Sequence, residues 1–88
     1  MRLRFRSSFA RDLKAIKDKT VLSQVKEVIG EIERAERIEA VSGVSRLSGG
    51  RGYFRIRIGD YRIGLVFDGG EVELVRCLHR REIYRYFP

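Results

Sequence analysis

The sequence predicts an α+β domain: an N-terminal strand, a two-helix hairpin, then a three-stranded antiparallel meander. The helices cover one sheet face, and a basic face stays open on the other. Three observations carry this reading. Residues 53–67 alternate apolar and polar on both sides of a two-residue break at Gly59-Asp60, as a tight hairpin does. A second break, Asp68-Gly-Gly70, leads into the apolar-rich run Glu71–Leu78. Between Phe9 and Ile32, apolar residues recur at helical spacing instead. A length of 88 residues leaves room for one core, so residues 1–88 are read as a single domain.

The elements follow in order. Arg2-Leu-Arg-Phe-Arg6 alternates and reads as the first strand, with Leu3 and Phe5 facing in. Ser7 or Ser8 is the expected cap of a helix carrying Phe9, Leu13 and Ile16, with Asp12 suited to its positive N-terminal end. Asp18 or Thr20 caps a second helix carrying Val21, Val25, Val28, Ile29 and Ile32, and Gly30 within it suggests close packing against a neighbouring element. Residues 36–52 lose periodicity and read as a loop rich in serine and glycine. With Gly59-Asp60 as the turn, Arg57 faces Arg62, Ile56 faces Ile63 and Arg55 faces Gly64. One face is then apolar from Phe54 to Phe67, and the other crowds three arginines around a glycine. With Gly69-Gly70 as the second turn, Phe67 pairs with Val72 and Leu65 with Leu74. Continued without a break, that register sets Val75 by Gly64, Cys77 by Arg62 and His79 on the open face. It also drives Arg76 to the core side, a misfit that calls for an edge position or a bulge.

Charge narrows the function. A net charge of +7 and a pI near 10.2 point to a phosphate-bearing partner. Arginine supplies fifteen of the nineteen basic residues, and arginine suits planar, bidentate contact with phosphate. Like charges directly opposed on a sheet cost stability, so the Arg55, Arg57 and Arg62 cluster reads as an anion site, with Gly64 leaving room for the anion. Single Cys and His residues exclude a disulfide framework and a cysteine-based zinc site, so no metal is expected. The glycine-rich stretch Ser48–Gly52 has no Lys-Ser/Thr after it and is no phosphate-cradling loop. Met1–Arg6 lacks an apolar leader core and no run approaches membrane-spanning length, so a cytoplasmic protein with no membrane partner is expected.

Such a face can do chemistry on RNA. Cleavage requires activating a 2′-hydroxyl, stabilising a doubly charged phosphorane-like state and protonating the leaving oxygen. Fixed guanidinium groups serve the second need. His79 has the unperturbed pKa suited to moving protons at neutral pH, though a histidine at a strand end also serves as a solvated or capping residue. Tyr84 can donate a proton, stack on a base, or pack the C-terminal segment onto the sheet.

Phe54-x-Arg-x-x-x-Gly-Asp-Tyr-Arg62, followed one strand later by His79-Arg-Arg-Glu-Ile-Tyr84, resembles the RelE/ParE toxin superfamily. The opening Phe9-x-x-Asp-Leu13 is similar as well, and the likeness runs nearly the whole chain. The resemblance implies the toxin half of a type II toxin–antitoxin pair: a RelE-like endoribonuclease that cuts messenger RNA on the ribosome without a metal or small-molecule cofactor. It further implies a cognate antitoxin that masks the basic face. Carried over residue by residue, Arg62 holds the scissile phosphate, Arg80 or Arg81 assists charge stabilisation, and Tyr84 takes part in proton transfer or base stacking. Arg55 and Arg57 stand where some members carry lysines and, with Arg51 and Arg81, are expected to bind RNA. An arginine cannot give up its proton as a lysine can, so His79 or Tyr84 is left as the acid–base group. The alternative within the superfamily is a ParE-like toxin that inhibits DNA gyrase without cutting RNA.

Overall fold

In the computed structural model, which describes residues 1–48, 50 and 52–88, the predicted order holds, with added pieces at the sheet edges and the C-terminus. Strand β1 (Arg2–Phe5) leads into helices α1 (Ser7–Ala15) and α2 (Lys19–Arg34). After a 3-10 turn at Ile38–Ala40 comes a short strand β2 (Val44–Arg46). Strands β3 (Tyr53–Ile58), β4 (Tyr61–Asp68) and β5 (Glu71–His79) form the meander, and a four-residue helix α3 (Ile83–Tyr86) follows. Among the described residues the strands make one sheet in the order β1-β5-β4-β3-β2. β1 runs parallel to β5, with Leu3 beside Val72, and β2 runs antiparallel to β3. The stretch expected to be all loop thus supplies an edge strand; three residues among serines and glycines give too short an alternation to recognise.

The caps show which local signals decided. Asp18 caps α2, accepting from the backbone N–H groups of Thr20 and Val21. Neither Ser7 nor Ser8 caps α1. Arg6 is its N-cap and makes no side-chain capping bond, its guanidinium pairing instead with Glu73 at 2.6 Å, while the Ser8 hydroxyl donates to the carbonyl of Val75. Asp12 lies past the first turn and is only 8% exposed, its carboxylate being needed elsewhere. Gly30 meets no second element: a Cβ there would touch only the Arg34 side chain of its own helix.

Both hairpins close as expected, with Arg57 opposite Arg62, Arg55 opposite Gly64, Leu65 opposite Leu74 and Phe67 opposite Val72. Gly59, Gly69 and Gly70 take positive φ, the conformation these tight turns require. The helix-side face buries Phe54, Ile56, Ile63, Leu65, Val72 and Leu74 almost completely against Phe9, Val25 and Ile32. Burying one such side chain is worth about 1.5–3 kcal/mol. Opposed like charges cost only about 0.2–1 kcal/mol. Ile56 and Ile63, paired in the adjacent rung, therefore outweigh the Arg57–Arg62 repulsion on the other face.

The unbroken β5 register does not hold. A shift at Gly64/Leu65 sets Arg76 opposite Gly64, Cys77 opposite Ile63, Leu78 opposite Arg62 and His79 opposite Tyr61. Val75 is the extra residue of a bulge. The misfit of Arg76 is resolved by this bulge, and Cys77 moves from the open face into the core, where it is buried. Asp12 explains the bulge physically. Its carboxylate accepts from the Cys77 backbone N–H at 2.9 Å and from Arg76 Nε and Nη2 at 2.8 and 3.2 Å. β1 stops pairing at Leu74, and from there α1 takes over as the neighbour of β5.

Candidate active site

The β3–β4 register sets Arg57 opposite Arg62 and Arg55 opposite Gly64, at strand positions that alternate with the buried Phe54, Ile56 and Ile63. Among the described residues, none of the three arginines lies in an ion pair. Arg62 folds back over its own turn, its Nη1 donating to the carbonyls of Gly59 at 2.7 Å and Tyr61 at 2.8 Å. The guanidinium is thereby held at the hairpin, and among the described residues its remaining donors meet no partner. Arg55 makes a long contact of 3.5 Å to the Gly43 carbonyl. Arg57 is exposed and lines a cleft that also contains Glu27 and Glu31 of α2.

The C-terminal residues reach this hairpin at two places. Arg80 donates its backbone N–H to the Asp60 carbonyl at 2.7 Å, and its Nε lies 3.6 Å from the Asp60 carboxylate. The end of β5 is thus tied to the Gly59-Asp60 turn. Tyr84, on α3, is 57% exposed and shares a groove of about 440 Å³ with Ser45, Arg46, Arg55 and Phe87. Tyr84 and Arg55, distant in sequence, therefore border one space. Arg81 is exposed on the turn before α3, and Arg51 lies outside the described residues.

Two expectations change here. The gap at Gly64 is not open to an anion: a Cβ built there would sit 2.5 Å from Cδ2 of Phe87, whose ring fills it. The open face is accordingly half-roofed, with Val75, Ile83 and Phe87 buried as a second small core edged by Leu47, Tyr53, Val66 and Leu78. His79 does not continue along the arginine face either. The bulge sets it beside Tyr61, ring centroids 5.6 Å apart, at a cavity of about 160 Å³ lined by Asp12, Ile16, Cys77 and Glu82. Its Nδ1 accepts the Arg81 backbone N–H at 3.2 Å, which leaves Nε2 to carry the proton of the neutral ring.

Sequence reasoning missed the Asp12–Arg76 pair. Asp12 raises the Arg76 pKa, chiefly through its side-chain hydrogen bonds, so this guanidinium is committed to α1 rather than to a ligand. Burial, helped by the Asp12 charge, pushes the Cys77 thiol up to about 12. That thiol is neutral at ordinary pH and is no nucleophile. The available signal was the clash of Arg76 with the core side, which pointed to a bulge without naming its partner.

Residues 3–84 match the family model described as ParE toxin of type II toxin-antitoxin system, parDE. Over the full length of both proteins the chain is 33% identical to Toxin RelE3 of Methanocaldococcus jannaschii. The RelB-RelE antitoxin-toxin complex from Methanococcus jannaschii contains a chain that superposes with a TM-score of 0.81 at 32% identity, covering 97% of this chain and 99% of that one. A chain of the toxin-antitoxin complex RelBE2 from Mycobacterium tuberculosis gives a TM-score of 0.70 at 26% identity, covering 90% and 96%. Matching in sequence along its whole length and in fold, the chain belongs to the RelE/ParE superfamily of type II toxin–antitoxin toxins.

Proposed function

We propose that this toxin is a metal-independent endoribonuclease that cuts messenger RNA on the ribosome and so inhibits translation. The observation that carries the reading is the groove that Tyr84 shares with Arg55, on a hairpin whose Arg55, Arg57 and Arg62 have no carboxylate partner among the described residues. Arg62 is the proposed scissile-phosphate ligand, pre-set by its two carbonyl contacts, so that little reorganisation is needed as charge develops. Arg80, anchored at Asp60 beside the same turn, adds charge stabilisation. Arg55, Arg57, Arg81 and Arg51 hold the RNA backbone. Proton transfer is assigned first to Tyr84, which stands at the arginine face. His79 sets the turn that presents Arg80 and Arg81, and its Nε2 is the second acid–base candidate. The proposed partners are the ribosome, messenger RNA and a cognate antitoxin, by analogy with the 32% identical chain in the RelB-RelE complex. An acidic segment would match the arginines it has to cover. This target places the toxin in the cytoplasm.

The name of the matched family model favours a second reading, a ParE-like toxin acting on DNA gyrase. Controlled expression, with mapping of RNA ends on translating ribosomes and a supercoiling assay, separates the two. New cuts within codons that disappear in Arg62→Ala support the nuclease. Growth arrest with altered supercoiling and no new cuts overturns it.

A further inference from the structure

Gly64 stands buried in the middle of β4 without taking a positive φ, so its backbone does not require glycine. A glycine inside a strand weakens the strand unless something approaches closely. What approaches is the Phe87 ring, within 2.9 Å of an ideal Cβ at three of its atoms. Phe87 is 3% exposed, and the Tyr53 ring meets it edge-on at 5.7 Å and 88°. α3, which carries Tyr84, is only four residues long and cannot hold its own shape. Its attachment is the pair Ile83 and Phe87, packed on Val75, which the bulge turns toward them. Tyr84 lies between those two anchors, exposed, on the groove it shares with Arg55.

We propose that Phe87 is a positioning residue: seated on Gly64, it fixes α3 so that Tyr84 is aimed at the arginine face. The proposal rests on the nuclease reading for its consequence in catalysis, but not for the clamp itself. A misplacement of about 1 Å in a reacting group can cost a hundredfold in rate. Phe87→Ala is therefore expected to lower kcat at least about tenfold on programmed ribosomes, with KM changed less than about twofold. Phe87→Leu, which still fills the dimple, recovers most of that loss. Gly64→Ala expels the ring and lowers kcat as Phe87→Ala does, and the double variant is no worse than Phe87→Ala alone, because no ring is left to collide. Ile32→Ala, in the helix-side core, serves as the destabilised control and keeps kcat when assayed well below its Tm. Hydrogen exchange gives a readout that needs no RNA: the Arg85 amide, bonded to the Glu82 carbonyl, exchanges at least about tenfold faster in Phe87→Ala while β3 and β4 amides do not. Should Phe87→Ala fail to fold, Phe87→Leu and Gly64→Ala carry the same comparison. Wild-type kcat in Phe87→Ala, or an equal loss in Ile32→Ala, overturns the proposal. If even the wild-type protein cuts no RNA, the nuclease reading fails by itself, and unchanged Arg85 exchange then overturns the clamp separately.

Discussion

On the helix side of the sheet, Phe54, Ile56, Ile63, Leu65 and Leu74 form a continuous apolar layer against α1 and α2. On the other side, the buried apolar cluster among the described residues shrinks to Val75, Ile83 and Phe87, edged by Leu47, Tyr53, Val66 and Leu78. The same strands build both faces, since alternate residues of one strand point to opposite sides. Stability is concentrated on one face, which leaves the other able to carry charge that stabilises nothing in the free protein. Substitutions on the two sides should accordingly separate activity from stability.

The largest effect expected is that of Arg62→Ala. Losing one preorganised charge-stabilising group costs about a hundred- to a thousandfold in kcat. Tm should barely move, because the side-chain hydrogen bonds it makes among the described residues go to its own turn. A drop of many degrees in a thermal melt would break the division of labour. Asp12→Ala probes the seam between the faces. It strands Arg76 and the Cys77 N–H together, and urea titration should show a loss of about 3 kcal/mol. Ile56→Val on the apolar side should cost about 1 kcal/mol and leave cleavage unchanged.

Near neutral pH the smallest effect belongs to Cys77, and it sharpens the comparison by titration at high pH. The folded state holds this thiol up to about 12 against an ordinary value of 9.0. Between those values the unfolded chain releases a proton that the folded chain retains, so stability falls as pH rises from 9 toward 12. The urea midpoint of Cys77→Ala should fall less steeply over that window, and the two proteins should match below pH 9 in slope.

How much of this was legible in sequence depends on the range of the interactions. The two hairpin registers were, because Gly59 and Gly69-Gly70 fix turns locally and each strand alternates around them. Asp18 was readable as a cap for the same reason. The bulge was not, since Val75 is displaced by Asp12, 63 positions earlier, and only the misfit of Arg76 hinted at it. Gly64 was read as room for an anion when its occupant lay 23 residues downstream. His79 was placed on the arginine face by extending a register that the bulge had already shifted. The pairings of Arg57 with Arg62 and of Arg55 with Gly64, which depend on one local turn, are those the pattern gave.

The contact between α1 and the upper half of β5 also bears on how these molecules behave in a concentrated solution. An open strand edge invites another chain to add to the sheet. Past Leu74 that edge is closed: the Val75 carbonyl is taken by Ser8 and the Cys77 N–H by Asp12. Among the described residues, the outer strands of the sheet are the four residues of β1, three of them arginine or leucine, and the three of β2. Loosening Asp12 would therefore do more than weaken the fold; it would uncover a longer template for strand exchange and turn this basic domain toward aggregation.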